Sequence, residues 1–380
     1  MKRAQRLTAA TLLVACLTSF TMQAANESLA FVGTYTKKSK GIYAYRWNAA
    51  DGRLTEIGLA AETTNPSFLA IHSNRKYLYA IGEISGGGKK GAITAFAIDA
   101  ANGKLTQLNQ QNTGGPGPCH VAVDQRGLCV VAANYGGGSV VSLPIKADGT
   151  LGEAVSFFQH EGSSVNKQRQ SGPHAHACNL SPDNRFVFVC DLGLDKIMCY
   201  QLDSATAKLT PNDPPFTTAE PGAGPRHLAF HPTGKFAYVI NELGNTMTAF
   251  EYDAPHGSLK AIQSLSTLPA GFTNKSSCAE VEVHPSGKFV YGSNRGHDSI
   301  VVYAVDQNNG KLTLVEHQST QGRAPRFFGL DPSGQWLLAA NQDTDNIVVF
   351  RVDTATGKLT PTGQNIQVGA PVCIKFLPVR

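Results

Sequence analysis

The chain has 380 residues, with 33 Lys and Arg against 28 Asp and Glu and a formal net charge of +5 at pH 7. Because this excess is small and no run of basic residues accompanies it, the composition argues against a nucleic-acid partner. The eight cysteines follow neither a zinc nor a redox spacing, which favours small buried core residues over a disulfide framework.

The first 24 residues predict a secretory signal peptide. Lys2, Arg3 and Arg6 form a basic start, residues 7–20 are apolar, and residues 22–24 end in an alanine suited to cleavage. We therefore expect the chain to be exported to the periplasm. Removal of this segment leaves 30 Lys and Arg against 28 Asp and Glu and no integral membrane segment.

A lipoprotein signal is the alternative for the same segment. Residues 13–16 match a bacterial lipoprotein cleavage box, which would leave Cys16 lipidated and the protein anchored to a membrane. The weakly polar residues 17–20 after it favour the ordinary signal peptide.

The two ends of the remaining chain complement each other. Residues 31–35 resemble the second strand of a repeating unit, with no first strand ahead of them. Residues 370–376 resemble a first strand with no unit after it. The last strand is therefore expected to complete the first unit and close a ring.

A short Gly-x-Leu-Thr motif recurs between these ends. Four copies are complete, at residues 52–55, 103–106, 310–313 and 357–360, and weaker copies lie at 149–152, 207–210 and 257–260. The motif leucines, separated by 51, 46, 58, 50, 53 and 47 residues, are Leu54, Leu105, Leu151, Leu209, Leu259, Leu312 and Leu359. A period near 50 residues indicates a repeat array or a propeller.

The copy between residues 224 and 259 shows what one unit contains. An apolar run, a Pro-x-Gly turn, a β-rich run, an alternating run and a second turn follow in order, at residues 228–230, 232–234, 236–240, 246–252 and 253–257. This order predicts four antiparallel strands and no helix.

Together these features predict an all-β fold. We expect a seven-bladed β-propeller of four-stranded antiparallel blades, with the first blade closed by the C-terminal strand. Because no linker separates the copies, residues 30–380 are expected to form a single domain, although this length usually corresponds to about two or three.

One mouth of the propeller channel is expected to collect the polar residues. The start of each first strand, the end of each second strand and the connections between blades all lie at that mouth. The first-strand starts are Ser67, Cys119, His176, Arg226, Ala279, Arg326 and Val372. The second-strand ends are Thr34, Glu83, Tyr135, Asp191, Glu242, Arg295 and Gln342. An arc of charge beside an arc of small polar groups indicates a site for a small anion.

Several of these residues also have structural explanations. The alternatives are a metal pair for His174 and His176, an ion pair between neighbouring strands for Arg226 and Glu242, a turn cap for Asp191, and bonds to backbone carbonyls for Arg326. No third metal ligand stands at a telling spacing from the histidine pair, so the sequence predicts no metal site.

Eight short motifs occur in order between residues 30 and 378. They cover residues 31–36, 134–138, 173–176, 191–195, 224–227, 241–243, 293–299 and 325–326. In this order they resemble the seven-bladed β-propeller lactonase family, which includes the propeller-type 6-phosphogluconolactonases and the fungal 3-carboxy-cis,cis-muconate cyclase. The signal peptide departs from this pattern and implies a substrate other than cytoplasmic 6-phosphogluconolactone.

The resemblance implies a catalytic set of one histidine, two arginines and a glutamate. By motif these are His176 or His174, Arg226, Arg295 and Glu242, and all of them lie on the mouth predicted above. We take His176, Arg226, Glu242 and Arg295 as catalytic, and His174, Asp191 and Arg326 as substrate-binding.

Three functions are compatible with this mouth. The first is a lactonase, 6-phosphogluconolactonase-like, that hydrolyses a small anionic sugar-acid or carboxylated lactone without metal or another cofactor. Arg226 and Arg295 would stabilise the oxyanion, while His176 or Glu242 would deprotonate water. The second is a carboxy-muconate-type lactonizing cycloisomerase, and the third is a non-catalytic propeller that binds a ligand or protein. The charged mouth favours the first. We expect a lactone as the small-molecule partner and a monomer or loose homo-oligomer.

The polar segment 160–172 is the longest insertion in the chain. It accounts for the largest spacing between motif leucines, and it precedes His174 at the predicted mouth. We expect it to cover the substrate, with Lys167 or Arg169 adding positive charge. The alternative is a plain surface loop.

Overall fold

The computed structural model describes residues 27–85 and 91–378. The predicted signal peptide and Cys16 lie outside these residues. Within them, 28 strands form seven four-stranded sheets. Neighbouring strands in every sheet are antiparallel, as in β1 with β2 and β16 with β17 once the strands are numbered along the chain.

The strand bounds follow the order of the chain. The first fifteen strands are β1 (Glu27–Thr34), β2 (Gly41–Asn48), β3 (Arg53–Glu62), β4 (Leu69–Ile71), β5 (Tyr77–Gly82), β6 (Ala92–Ile98), β7 (Leu105–Asn112), β8 (Pro118–Val123), β9 (Cys129–Asn134), β10 (Ser139–Pro144), β11 (Ser156–Gln159), β12 (Ala175–Leu180), β13 (Phe186–Asp191), β14 (Lys196–Asp203) and β15 (Lys208–Thr218). The others are β16 (Pro225–Phe230), β17 (Phe236–Asn241), β18 (Thr246–Asp253), β19 (Ser258–Ser266), β20 (Ser277–Val283), β21 (Phe289–Arg295), β22 (Ser299–Val305), β23 (Leu312–Ser319), β24 (Pro325–Leu330), β25 (Trp336–Asn341), β26 (Asn346–Val352), β27 (Leu359–Gln367) and β28 (Pro371–Pro378).

The sheets are the blades of a β-propeller. Six of them use four consecutive strands, whereas the first has the order β28-β1-β2-β3. The C-terminal strand thus pairs with β1 and closes the ring. The predicted fold class, blade count and closure are confirmed. The second strand of the first blade begins at Glu27, earlier than the predicted start at residue 31.

The repeated leucine fixes the outermost strand of each blade. All seven motif leucines are buried, in core clusters that combine residues of adjacent blades. The first position of the motif, two residues before the leucine, has a left-handed backbone, as Gly257 shows with a φ of 62°. A Cβ there would also collide with the Phe186 ring of the neighbouring blade. Leu151 is the exception in strand position, since it forms an isolated bridge with Ile145 before β11 begins.

The second strands form the core between blades. β9, β13, β17 and β25 are buried at every position. Both faces of these strands pack against neighbouring blades, which explains their nearly continuous apolar sequence. The seven cysteines of the described residues are all buried and unpaired, as expected from their spacing. No helix in the described ranges is long and apolar enough to cross a membrane.

Candidate active site

The residues predicted for the mouth converge at one end of the channel. A narrow cavity there, which we call the upper cavity, is lined by Ser67, Phe68, Glu83, Cys119, His176, Arg226, His227, Glu280, Arg326, Phe327 and Val372. Six of the seven predicted first-strand starts line it. Ala279, the seventh, contributes a carbonyl that accepts a hydrogen bond from Arg226.

Glu242 is held by three arginines. Its Oε2 accepts a hydrogen bond from Nε of Arg226 at 3.0 Å and lies 2.9 Å from Nη2 of Arg295. Its Oε1 accepts a hydrogen bond from Nη2 of Arg169 at 2.7 Å. Glu242 is only 5% exposed and Arg226 only 2% exposed, so water screens these pairs weakly. The predicted ion pair between Arg226 and Glu242 is therefore confirmed.

These arginines decide the charge of Glu242. Burial alone would raise the pKa of its carboxyl group, but Arg295, Arg226 and Arg169 outweigh burial and hold the pKa at about 2. The carboxylate is ionised at neutral pH, and guanidinium groups occupy both of its oxygens, which leaves neither free to take a proton from water. Of the two candidates for deprotonating water, this favours His176 and leaves Glu242 to order the arginines.

His176 lies beside this cluster and is 4% exposed. Burial, together with Arg226 and His227, lowers the pKa of its imidazole well below the ordinary value. The ring is therefore neutral at pH 7 and keeps a lone pair. Its Nδ1 is buried and has no hydrogen-bond partner among the described residues. A neutral imidazole beside guanidinium groups is suited to accept a proton from water while an anion forms nearby.

Arg226 and Arg326 keep N–H groups that no described residue accepts. Arg226 uses Nε on Glu242 and Nη1 on the Ala279 carbonyl, at 2.7 Å, which leaves Nη2 available. The Arg326 guanidinium lies 5.4 Å over the Tyr35 ring and makes none of the predicted bonds to carbonyls of the described residues. Both are placed to bind an oxyanion or an acid group.

His174 lies at the rim instead of in the cavity. Its ring stacks on Tyr135 with the ring centres 4.6 Å apart, and its Nδ1 lies 2.9 Å from the Tyr135 carbonyl oxygen. Of the two histidines in the motif, His176 is thus the one beside Arg226. In residues 27–85 and 91–378, no group of three His, Cys, Asp or Glu side chains is arranged to hold a metal ion.

Asp191 is fully buried and engaged by its own surroundings. Its Oδ1 accepts hydrogen bonds from the backbone N–H groups of His174 at 2.8 Å, Gly193 at 3.0 Å and Leu194 at 3.2 Å. Its Oδ2 lies 2.7 Å from Nδ1 of His160. This geometry fits the turn-cap alternative. Asp191 affects the mouth through the backbone of His174.

The inserted segment 160–172 reaches the mouth through Arg169. Besides its bond to Glu242, Arg169 donates a hydrogen bond from Nη2 to the Tyr135 hydroxyl at 3.0 Å. The adjacent Gln170 is fully buried and donates to the Leu192 carbonyl at 2.9 Å, which fixes the end of the segment. Lys167 is exposed. Of the two cations predicted for the cover, Arg169 is the one that contacts the site.

Bulges bring in residues that the sequence analysis missed. In β8, β12, β16 and β24 the pairing register shifts near the second residue. A bulge breaks the strict alternation of a strand. Arg226 and His227 are neighbours in sequence, yet both line the upper cavity. His227 belongs to the Gly-Pro-Arg-His motif, but in a regular strand it would face away from Arg226.

A wider cavity, of about 860 Å³, lies away from the channel, at the outer turns of the blades formed by β16–β19 and β20–β23. It is lined by Lys235, Asp253 and Lys311 among others, and by none of the predicted mouth residues. Size alone would select this groove. The buried ion pairs and free guanidinium groups select the upper cavity instead.

A family profile described as "Lactonase, 7-bladed beta-propeller" matches residues 29–376. The chain belongs to this family. The predicted family and the predicted class of enzyme, a lactone hydrolase, are thereby confirmed.

Relatives of this lactonase extend over nearly its whole length. It is 42% identical over 350 residues to a 6-phosphogluconolactonase of Bacillus subtilis, covering 92% of this chain and 98% of the relative. It is 36% identical over 306 residues to a 6-phosphogluconolactonase of Formosa agariphila, covering 79% and 86%. Among solved structures it is similar to the periplasmic gluconolactonase PpgL of Pseudomonas aeruginosa, with a TM-score of 0.88, 34% identity and coverage of 93% and 100%.

Proposed function

We propose that this lactonase, like the 6-phosphogluconolactonases, hydrolyses a small sugar-acid lactone through the upper cavity. One observation carries the proposal: a buried, neutral His176 lies beside Arg226 and Arg295. Both arginines are held by an ionised Glu242 and keep an N–H group without a partner among the described residues, at Nη2 of Arg226 and Nε of Arg295. A base and preformed donors for an oxyanion are the two things that ester hydrolysis by water requires.

In this mechanism, His176 takes a proton from a water molecule as the water oxygen attacks the lactone carbonyl carbon. Negative charge develops on the carbonyl oxygen, and the N–H groups of Arg226 and Arg295 stabilise it. The ring C–O bond then breaks, and His176 returns the proton to the leaving oxygen. Glu242 keeps the two arginines in place without exchanging a proton.

The remaining cations select the substrate. Arg326 has no acceptor among the described residues, and Arg169 reaches the rim from the segment 160–172. Both favour a lactone that bears an anionic group, such as a phosphate or a carboxylate, over a neutral one. His174, which stacks on Tyr135, would contact the substrate at the rim.

We propose that the enzyme acts after export, as the predicted signal peptide 1–24 indicates, with residues 30–380 as a single catalytic domain. A periplasmic gluconolactonase among its structural relatives supports this location. The lipoprotein form anchored through Cys16 is the alternative route. In either case the enzyme would work as a monomer or loose homo-oligomer on sugar lactones outside the cytoplasm.

A substrate panel tests the proposal. The purified protein is offered 6-phosphogluconolactone, glucono-δ-lactone and a carboxy-muconate, and products are followed by NMR against buffer alone. We expect opening of the sugar lactones and no change in the muconate. Cyclisation of the muconate without lactone opening would identify a cycloisomerase, and binding without any turnover would identify a non-catalytic propeller.

We predict that turnover needs no divalent metal. Three guanidinium groups occupy both oxygens of Glu242, and they repel a divalent cation that would need several oxygen ligands. Activity after dialysis against EDTA should therefore equal the untreated value. Activity that is lost on chelation and restored by Ca²⁺ would contradict this prediction.

We predict that Arg169→Ala raises KM about tenfold for an anionic lactone, which corresponds to the loss of one charged hydrogen bond to the substrate. The melting temperature should hardly change, because Gln170 and its bond to Leu192 still fix the segment. Lys167→Ala, in the same segment but exposed, is the matched control and should leave KM unchanged. Equal kinetics in both variants would reduce the segment to a plain surface loop.

A further inference from the structure

A second pair of ionisable residues lies directly behind His176. Nδ1 of His227 is 2.9 Å from Oε1 of Glu280, and the two residues are 4% and 5% exposed. The ring centres of His176 and His227 are 5.1 Å apart. Neither His227 nor Glu280 has a part in the mechanism above, although both line the upper cavity.

These residues carry buried polar atoms without partners. Nδ1 of His176, Nε2 of His227 and Oε2 of Glu280 are each buried and make no hydrogen bond with the described residues. Buried polar atoms are nearly always paired, so an unpaired group in each of three neighbouring side chains calls for an explanation. A single water molecule between the two ring nitrogens would join His176 to His227.

The pair also stands between two cavities. On the far side of Phe68, His227 and Glu280 lies a lower cavity of about 420 Å³, at the opposite end of the inner strands. Phe68, His227 and Glu280 line both cavities. Glu282 and Lys375 line only the lower one. A proton on Glu280 therefore has a way to the lower cavity that avoids the arginine-rich mouth.

We propose that Glu280 and His227 are positioning residues that decide which nitrogen of His176 carries the proton. When Glu280 is ionised, it accepts the N–H of His227 Nδ1. His227 Nε2 then accepts a hydrogen bond from the bridging water, and that water accepts the N–H of His176 Nδ1. Nε2 of His176 then carries the lone pair that takes the proton of the attacking water. When Glu280 is protonated, each hydrogen bond from Glu280 through His227 to His176 reverses its direction. Nε2 of His176 then carries the hydrogen and has no lone pair for the attacking water. The pair itself gains and loses no proton over a turnover.

The surroundings place this reversal in an accessible pH range. Glu280 is faced by Lys375 from β28, by Arg226 and His227 from β16 and by Arg326 from β24. Burial raises its pKa, these cations oppose the rise, and the pKa is about 7. The pKa of both histidines lies well below the usual value, because burial, Arg226 and Arg326 all lower it. Arg295 adds to this effect at His176, and Lys375 adds to it at His227. The active form is ionised at Glu280, so kcat rises with pH through about 7.

The test, which rests on His176 as the base of the proposed function, compares pH profiles of kcat for the wild type and two variants. In Glu280→Gln the rise near pH 7 should disappear, and kcat at pH 8 should fall about 10- to 100-fold with KM within about twofold, as for other residues that orient a reacting group. Glu282→Gln is the matched control. It lies on the same strand and lines the lower cavity, but it bonds to the Leu330 backbone and not to His227, so it should keep the wild-type profile.

The outcomes separate this inference from the proposed function. The positioning role is overturned if Glu280→Gln keeps the wild-type kcat and the wild-type midpoint of the pH profile. It is also overturned if Glu282→Gln loses as much kcat as Glu280→Gln and also loses the rise near pH 7. If Glu280→Gln unfolds, His227→Gln replaces it with the same expected loss. A wild type that opens no lactone, or a fully active His176→Asn, defeats the proposed function itself. If the wild type is active, His176→Asn is inactive and Glu280→Gln behaves like the wild type, only the positioning role is defeated.

Discussion

We expect the His176→Asn variant to lose about 100- to 10,000-fold in kcat on a sugar lactone, the usual cost of removing a general base. Two imidazoles line the upper cavity, but Nδ1 of His227 is engaged by Glu280. Three arginines occupy both carboxylate oxygens of Glu242, so His176 is the base that remains. Asparagine fills similar space and remains polar, so the fold should persist. Steady-state kinetics together with a thermal melt check both points.

His174→Asn is the control for this substitution. His174 comes from the same motif but stacks on Tyr135 at the rim, outside the upper cavity. Its loss should act mainly on KM and cost at least tenfold less in kcat than the loss of His176, because it only helps to orient the substrate. The reverse order of the two effects would move the base to His174.

We expect Arg226→Lys to lower kcat about 100- to 1000-fold, the usual cost of removing one donor to an oxyanion. Lysine keeps the positive charge beside Glu242 but replaces the planar fork with a single ammonium group. It cannot bond to Glu242, the Ala279 carbonyl and a substrate oxygen in the geometry that Arg226 uses.

The comparison for this variant is Arg351→Lys, at an outer strand, where the arginine lies over the Trp336 ring. It should leave kcat and KM at wild-type values. If Arg226→Lys retains more than half of the wild-type kcat, with unaltered stability, Arg226 is not a donor to the transition state, and the charge alone near Glu242 is sufficient.

The fold was predictable because the same turn and strand motif recurs seven times along the sequence. Each Gly-x-Leu-Thr copy combines a left-handed turn residue with a leucine that is buried between blades, as Gly257 and Leu259 show. The positions of the first-strand starts followed from a second repeated signal, the Pro-x-Gly turn of each unit. The sequence alone therefore predicted that His176, Arg226 and Glu242 lie together at one mouth.

Two kinds of information were not accessible from the pattern. Alternation along a strand places Arg226 and His227 on opposite faces, and only the bulge in β16 brings both into the upper cavity. The role of Asp191 depends on which backbone N–H groups its oxygens meet, and a turn cap and a substrate ligand share the same sequence. Likewise, contact between Arg169 and Glu242 joins residues 73 positions apart, and no local spacing encodes it.

Proton release from an anionic and a neutral sugar lactone, 6-phosphogluconolactone and glucono-δ-lactone, followed in a pH-stat, tests the central claim most directly. The wild-type enzyme should release protons at a rate proportional to its concentration and well above the spontaneous rate. His176→Asn and Arg226→Lys, each shown to be folded, should release them at close to the spontaneous rate. A wild type no faster than buffer, or variants as fast as the wild type, would contradict the account of the upper cavity as the site of lactone hydrolysis.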